Sequence, residues 1–516
     1  MKKIIWVLFL SFGLLSVIFA QAQTVNISGK VTDSKGETLP GVNVVVKGTT
    51  TGVVSNVDGE YTLSGVSSDA TLQFSFIGFR TFEMAVNSQS TINATLEEDF
   101  IGIEEVVAIG YGTSRKEDLV SSVSQIKSDV IENQPTIRVD QALQGRAAGV
   151  EITSASGVPG GASVIRIRGT SSINGNNNPL FVVDGFIAGT DYNLNNLNVN
   201  DIESIEVLKD ATALAIYGTR GAAGVILITS KNGKGLAKGK TQVSVNQYFS
   251  YQQTANRIEL ADSKLYAEYR NEEAQFVPGD SGFGSSDPTI DPIFPNPAAA
   301  HYTDWIDMVS QNGMINNTDV SITGNSDKAN YYISVNHFGQ DGVVRGSGIE
   351  RFTLRNNIDF NLSKMFKAGI RLNVSNFKKE NNKVNYGEIV RSVLPIREVY
   401  NEDETYTSIN PVSASLQRNP EADIQLRTDH DLVTNLITNA YIEFNPVKDL
   451  VFRSTLGVEL NNYKNNIYQP GALPEREAQG VGGFARIRTN NSQSILNENT
   501  VTYSMDFGDH SVKVLG

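Results

Sequence analysis

Cysteine is absent from this chain of 516 residues. It can therefore form no disulfide framework, thiolate zinc site or cysteine nucleophile, and it cannot be acylated on a cysteine of its own. Histidine is scarce: His301, His337, His430 and His510 stand far apart with no HExxH spacing, which argues against a histidine–metal enzyme. Basic residues are outnumbered, 43 against 56 acidic, for a formal charge of -13. A nucleic-acid partner usually requires a basic face, so that class is set aside. Beyond the N-terminus no stretch approaches the ~18 apolar residues of a spanning helix. What is present is ordinary for a large folded core, 40% hydrophobic and 19% charged, in a length that suits about three or four domains.

The first residues read as an export signal over 1–22. Lys2 and Lys3 precede an apolar run from Ile4 to Ala20, and Ala20-Gln21-Ala22 is a small-x-small cleavage site. The run is a little short for a retained anchor. An exported chain without a membrane helix could still span a membrane as a β-barrel.

Residues 23–98 read as a β-sandwich of about seven short strands. Val42 to Val46 is strand-like, Asp58-Gly59 makes a turn before alternating Glu60 to Leu63, and Leu72, Phe74 and Phe76 share a face. Gly29-Lys30-Val31-Thr32-Asp33, Leu39-Pro40-Gly41-Val42 and Asp58-Gly59-Glu60-Tyr61 resemble the carboxypeptidase-regulatory-like domain. That module has no catalytic residues despite its name, and none is found here; a spacer or docking role is expected.

Residues 99–117 read as a hinge holding one short apolar strand, Glu105-Val106-Val107-Ala108-Ile109, with acidic residues before it and glycine after it. Such a strand can add its edge to another protein's sheet, main-chain bonds supplying affinity. On these residues alone, an ordinary linker strand is the better reading.

Residues 118–240 read as a compact α+β unit. Val139 to Ala148 is expected to be helical with Gly149 as its stop, Pro179 to Val183 a buried strand entering an Asp184-Gly185 turn, Asp210 to Gly218 a capped short helix, and Gly224 to Thr229 a last buried strand. The acidic run Asp201, Glu203, Glu206 and Asp210 is expected to be solvated or paired with Arg220, its first three members on one strand face. Asp184-Gly185, Ile202 to Ala211 and Ala215 to Ile226 resemble the plug domain of TonB-dependent outer-membrane transporters, in particular the SusC-like (SusC/RagA) branch, in which a carboxypeptidase-regulatory-like domain precedes the plug.

The resemblance implies roles that the residues alone do not. Glu105, Val106, Val107, Ala108 and Ile109 fall where the TonB box is expected, so the docking-strand reading overtakes the linker reading. Asp184, Gly185, Glu203, Glu206, Lys209, Tyr217, Gly218, Arg220, Gly221 and Gly224 become structural or gating residues of the plug. TonB with its inner-membrane energising complex and a SusD-like surface lipoprotein become partners, a glycan, oligosaccharide or peptide becomes the substrate, and no cofactor is implied.

Residues 241–516 read as strands of a transmembrane β-barrel. Phe352, Leu354, Ile358, Phe360 and Leu362 oppose Thr353, Arg355, Asn357, Asp359 and Asn361. Phe366, Ala368, Ile370, Leu372 and Val374 oppose Lys367, Gly369, Arg371, Asn373 and Ser375. Ten-residue alternation of this kind suits a lipid face and a wet lumen. Short connections at Gly324 to Lys328, Ser363 to Met365, Asn445 to Asp449 and Gly508 to His510 are interleaved with long polar stretches, Gln252 to Asn316, Lys378 to Asp431 and Asn461 to Ser494, the pattern of periplasmic turns and extracellular loops. Phe360, Phe366, Phe444, Phe452 and Phe507 flank the short turns like an interfacial girdle. Roughly nine to ten strands are expected, whereas plugged transporters use about 22. The expectation is therefore a mainly β chain whose barrel is partial and whose C-terminal part is missing.

Other motifs fail. Ser124-Gln125-Ile126-Lys127 matches SxxK without SDN or KTG partners, and a phosphate loop near Gly239 fails because Lys234 stands where glycine is required. The sequence thus points to a non-enzyme: an outer-membrane importer with a periplasmic N-terminal domain, or a non-transporting binding or signalling receptor on the same scaffold.

Overall fold

A computed structural model describes residues 24–97, 106–109, 112–115, 123–132, 138–276, 293–410, 415–507 and 510–516, apart from single positions 35, 50, 77, 78, 80, 155, 171, 256 and 257. The expected export signal and Glu105 lie outside the described residues. The chain divides into two compact units: residues 1–106 with 115–117, and the remainder.

In the first unit, seven strands are present among the described residues: β1 (Thr24–Asp33), β2 (Asn43–Val46), β3 (Gly52–Val54), β4 (Glu60–Ser67), β5 (Thr71–Ser75), β6 (Phe82–Ala85) and β7 (Ala94–Leu96). They make two sheets, ordered β4-β1-β7 and β3-β2-β5-β6. Alternation decides which residues meet between them: Ile27, Val31, Val44, Leu63, Leu72 and Phe74 form one apolar core. Tyr61 sits in that core with its hydroxyl donating to the Ile92 carbonyl at 2.8 Å, and burial pushes its pKa up to about 12.

A two-stranded pair follows in the chain, β8 (Val106–Ile109) and β9 (Gly112–Arg115), all but Val106 and Arg115 assigned to the second unit. The α+β body follows, with β10 (Val123–Lys127), β11 (Val150–Ser154), β12 (Ser163–Ile167), β13 (Leu180–Val183), β14 (Phe186–Gly189), β15 (Ile202–Leu208) and β16 (Val225–Ser230). Its main sheet is ordered β10-β15-β16-β13-β14, with β13 and β16 parallel. Both strands read as continuous apolar runs because both of their faces are covered. Asp184 and Gly185, at φ 49° and 85°, turn β13 into β14 through a two-residue hairpin whose left-handed backbone favours this Asp-Gly pair. The expected helix at 139–148 runs only over Val139–Leu143, because Gly145 at φ 74° breaks it before Gly149 is reached.

The rest is a single antiparallel meander of nine strands: β17 (Lys240–Gln252), β18 (Gly313–Asn325), β19 (Ala329–Asp341), β20 (Gly348–Asn361), β21 (Phe366–Glu380), β22 (Thr428–Val447), β23 (Leu450–Gln469), β24 (Phe484–Phe507) and β25 (His510–Leu515). Its burial is the reverse of a soluble sheet. On β20, Arg351, Thr353, Arg355, Asn357 and Asp359 are buried, while Phe352 is 48% exposed. Across β18 to β22 the polar face is covered and the apolar face is largely bare, as a lipid-facing wall requires, whereas β17 and most of β24 are exposed on both faces.

Register carries this pattern from strand to strand. Val335, Leu354, Val374, Leu436 and Leu460 form one outward apolar row, and Phe366, Phe444 and Phe452 another at the short-turn end. The three phenylalanine rings pack 4.8 and 6.2 Å apart. Along β21 the two rows are separated by about 21 Å of membrane height at roughly 3.4 Å per residue and a 40° tilt, close to the ~25 Å of an outer-membrane apolar band. One expectation is corrected. Most of Asn461 to Ser494 is strand rather than loop, because β23 and β24 run 20 and 24 residues and rise past the apolar band. Above lipid neither face need be apolar, so the alternation that marks a strand fades.

Candidate functional site: the plug seat

Where the α+β body meets the wall, direct polar bonds join them. At the β13–β14 hairpin, Asp184 Oδ1 accepts from the backbone and hydroxyl of Ser230 at 2.8 and 2.7 Å, and its other oxygen pairs with Arg355 of β20. Asn439 donates to the Asp184 carbonyl at 3.1 Å. Asn198 donates to Asp319 of β18 at 2.8 Å, and Asp201 accepts from Tyr332 and Ser334 of β19 at 2.8 and 2.5 Å. Asn357 donates to Ser230 Oγ at 2.6 Å and to the Lys231 carbonyl at 2.7 Å. Arg351 donates to the carbonyls of Asn195 and Leu197 at 3.1 and 2.9 Å, its guanidinium 5.1 Å above the Phe338 ring. Burial pushes the Asp201 carboxyl up to about 6, a shift its neutral donors only partly oppose.

A seat of this kind holds by hydrogen bonds and ion pairs. Water can replace each of them, so the net stabilisation per bond is modest, about 1 kcal/mol. None of the wall residues here was singled out from sequence as a contact. Their only signal was membership of the polar face.

The candidate residues of the α+β body fall in three places. Asp184 and Gly185 are in the seat. Tyr217 is buried with Leu180, Leu208 and Leu227, Gly218 has φ 57°, and Gly221 and Gly224 pack closely, the latter at φ 94° with Ile167 2.7 Å from where a Cβ would stand. Glu206 on β15 and Lys209 just after it are buried: Glu206 Oε1 accepts from Ser204 at 2.6 Å and Gln125 at 2.9 Å, and Lys209 Nζ donates to Ser124 Oγ and the Ala148 carbonyl, both at 2.7 Å.

The acidic run therefore does not behave as expected. Asp201 and Glu206 are buried, Glu203 is exposed, and Arg220 is exposed and pairs with none of them. Glu203 and Glu206 are three residues apart, which puts them on opposite faces of a regular strand, and Glu203 is the unpaired residue at a register shift between Ile202 and Ser204. Asp210 stands at a helix N-cap position without capping it through its side chain; its carboxylate takes Arg168 at 2.6 Å instead. Of the expected docking strand, Val106, Val107, Ala108 and Ile109 are extended in β8.

On the long-loop side a cavity of about 640 Å³ is lined by Val158 and Pro159, by Lys383, Tyr386 and Arg418 of the connection after β21, and by Asp429 of β22. The loops around it share an apolar core of Trp305, Ile306, Val309, Val344, Val384, Ile389 and Ile424. Arg397, fully buried, donates to the carbonyls of Thr407 and Arg418 at 2.6 and 3.0 Å.

Comparison with known proteins agrees with this layout. Residues 27–108 match the CarboxypepD_reg-like domain and residues 115–225 the TonB-dependent Receptor Plug Domain. The chain is 42% identical to TonB-dependent receptor P26 of Formosa agariphila over 95% of its own length and 48% of that protein's. It is 33% identical to TonB-dependent receptor SusC of Bacteroides thetaiotaomicron over 88% of its length and 46% of that protein's. The chain thus spans about half the length of the curated relatives it matches. In fold it is similar to the RagAB peptide importer in its open-open state, at 22% identity and a TM-score of 0.66 over 80% of this chain and 48% of that one. Over the span it covers, the chain belongs to the SusC-like TonB-dependent receptors.

Proposed function

We propose that the protein takes part in TonB-dependent import across the outer membrane, its plug gating the lumen. The observation that carries this reading is the buried polar face of the wall, bonded to the plug through Asp184, Asn198, Asp201 and Ser230. Contacts that water can replace let a plug move without exposing a large apolar surface. TonB would pair with Glu105 to Ile109, of which Val106–Ile109 form a strand able to offer main-chain bonds to a partner's sheet. A SusD-like surface lipoprotein would cover the long-loop side, and the cargo would be a glycan, oligosaccharide or peptide, the last being what the similarly folded RagAB is said to import. The chain would reach the outer membrane by way of the signal at 1–22, leaving the 23–98 domain in the periplasm. No catalytic role is assigned.

Deleting residues 104–109 from the intact protein in cells should abolish uptake while surface binding of cargo persists. Uptake at the wild-type rate would sink the proposal, and uptake absent even before deletion would favour a non-transporting receptor.

A further inference from the structure

We propose that β10 is the releasable strand of the plug and that the buried charges of Glu206, on β15, and Lys209, the residue after its end, set how readily it leaves. Position comes first. Among the described residues β10 is an edge strand paired only with β15, from Val123↔Leu208 to Lys127↔Ser204, and is the first plug strand after the β8–β9 pair. A pull on β8 therefore arrives at the Val123 end. Anchoring comes second. Among its described side chains Ile126 alone is apolar and strongly buried, whereas every residue of β13 is buried. The wall bonds of the seat come from Asp184 and from residues 195–231, not from β10.

The charges supply the third argument. Glu206 is 1% exposed and Lys209 8%. Among the described residues neither takes part in an ion pair, and each is tied to β10 by a neutral group, Gln125 and Ser124. Glu206 Oε2 has no hydrogen-bond partner. Burying an unpaired charge is unfavourable, and burial accordingly raises the Glu206 carboxyl. When β10 departs, both charges regain water. Release of this strand is thus offset by hydration, while release of β13 would expose only apolar side chains and release of β16 mainly apolar ones. Glu206 and Lys209 are positioning residues in this scheme: they hold β10 in register when it is seated and favour its departure when it is pulled.

The inference rests on the import reading only for its purpose, and hydrogen exchange on the intact detergent-solubilised protein tests it without transport. Backbone amides of 123–127 should exchange faster than those of 202–208 and 180–183. Glu206→Gln keeps an acceptor for Gln125 but removes the buried charge, so exchange at 123–127 should slow several-fold, with 180–183 unchanged. If Glu206 merely braced the strand, the same substitution would speed exchange, which would overturn the proposal, as would equal exchange of β10 and β15 in the wild type. In cells, oxidising a Val123→Cys/Leu208→Cys pair in this cysteine-free chain should lower uptake at least tenfold, with recovery on reduction. Uptake indifferent to oxidation state would overturn β10 release while leaving the import reading standing.

Discussion

Arg355, on the plug-facing side of β20, pairs with Asp184 at the tip of the plug's β13–β14 hairpin, and both side chains are almost fully buried. The pair fixes the hairpin tip to the wall at one point, and Ser230 fixes it to the neighbouring strand.

Removing one partner of a buried pair leaves the other charge uncompensated, at about 3–5 kcal/mol. Arg355→Ala should therefore loosen the plug by that order, and Arg355→Ala combined with Asp184→Asn should recover much of the loss. Urea titration with proteolysis inside 123–230 as the readout measures both. Equal protease resistance in Arg355→Ala and wild type would show that the pair does not hold the plug.

Plug stability should depend on pH through Asp201. Its seated pKa, about 6, lies above that of a free aspartate, about 4. Between those values the seated plug binds a proton that the unfolded chain does not. Stability is therefore fully present below about pH 4 and is lost as pH rises through 6, by roughly 2–3 kcal/mol. Burial shifts Glu206 in the same direction within the plug and Asp423 in a long loop. The Asp201 share is thus the pH-dependent part of the difference between wild type and Asp201→Asn, which should change within this window and be level on either side of it. A difference that grows above pH 7 would contradict the assignment.

Two glycines of the plug motif should respond unequally to alanine. At Gly218 the backbone is left-handed but a Cβ would meet open space, so Gly218→Ala should cost about 1 kcal/mol. At Gly224 the backbone is also left-handed and a Cβ would stand 2.7 Å from Ile167 Cδ1 inside the plug core, so Gly224→Ala adds overpacking of about 1–3 kcal/mol. Thermal or urea unfolding of the plug should rank Gly224→Ala as the more damaging, and the reverse order would refute the close approach.

The wall was readable from sequence because period-2 alternation is dictated by lipid on one side. Phe352 and Arg355 declare their faces with no knowledge of the partner. The Asp184-Gly185 turn was readable because few residue pairs tolerate that backbone. The acidic run was misread because Asp201 and Glu206 look like surface residues until Tyr332, Ser334 and Gln125 are brought to them from distant parts of the chain. The length of β23 and β24 was hidden for the opposite reason: with water on both faces, Asn461 to Gln469 has no pattern to show. The folded core of the long loops was hidden too, because Trp305, Val344 and Ile424 come from three separate connections whose meeting no local spacing encodes.

The unbroken registers from β17 to β21 also constrain how the gene can change. One codon inserted near Leu354 would turn Arg355, Asn357 and Asp359 outward to lipid and Ile358 and Phe360 inward to the plug, a simultaneous reversal of a whole strand. Length variation in this stretch of a lineage should therefore collect in the connections after Gln252, Asp341 and Glu380, while the strands between them change only by substitution, and by substitution that keeps each residue's side.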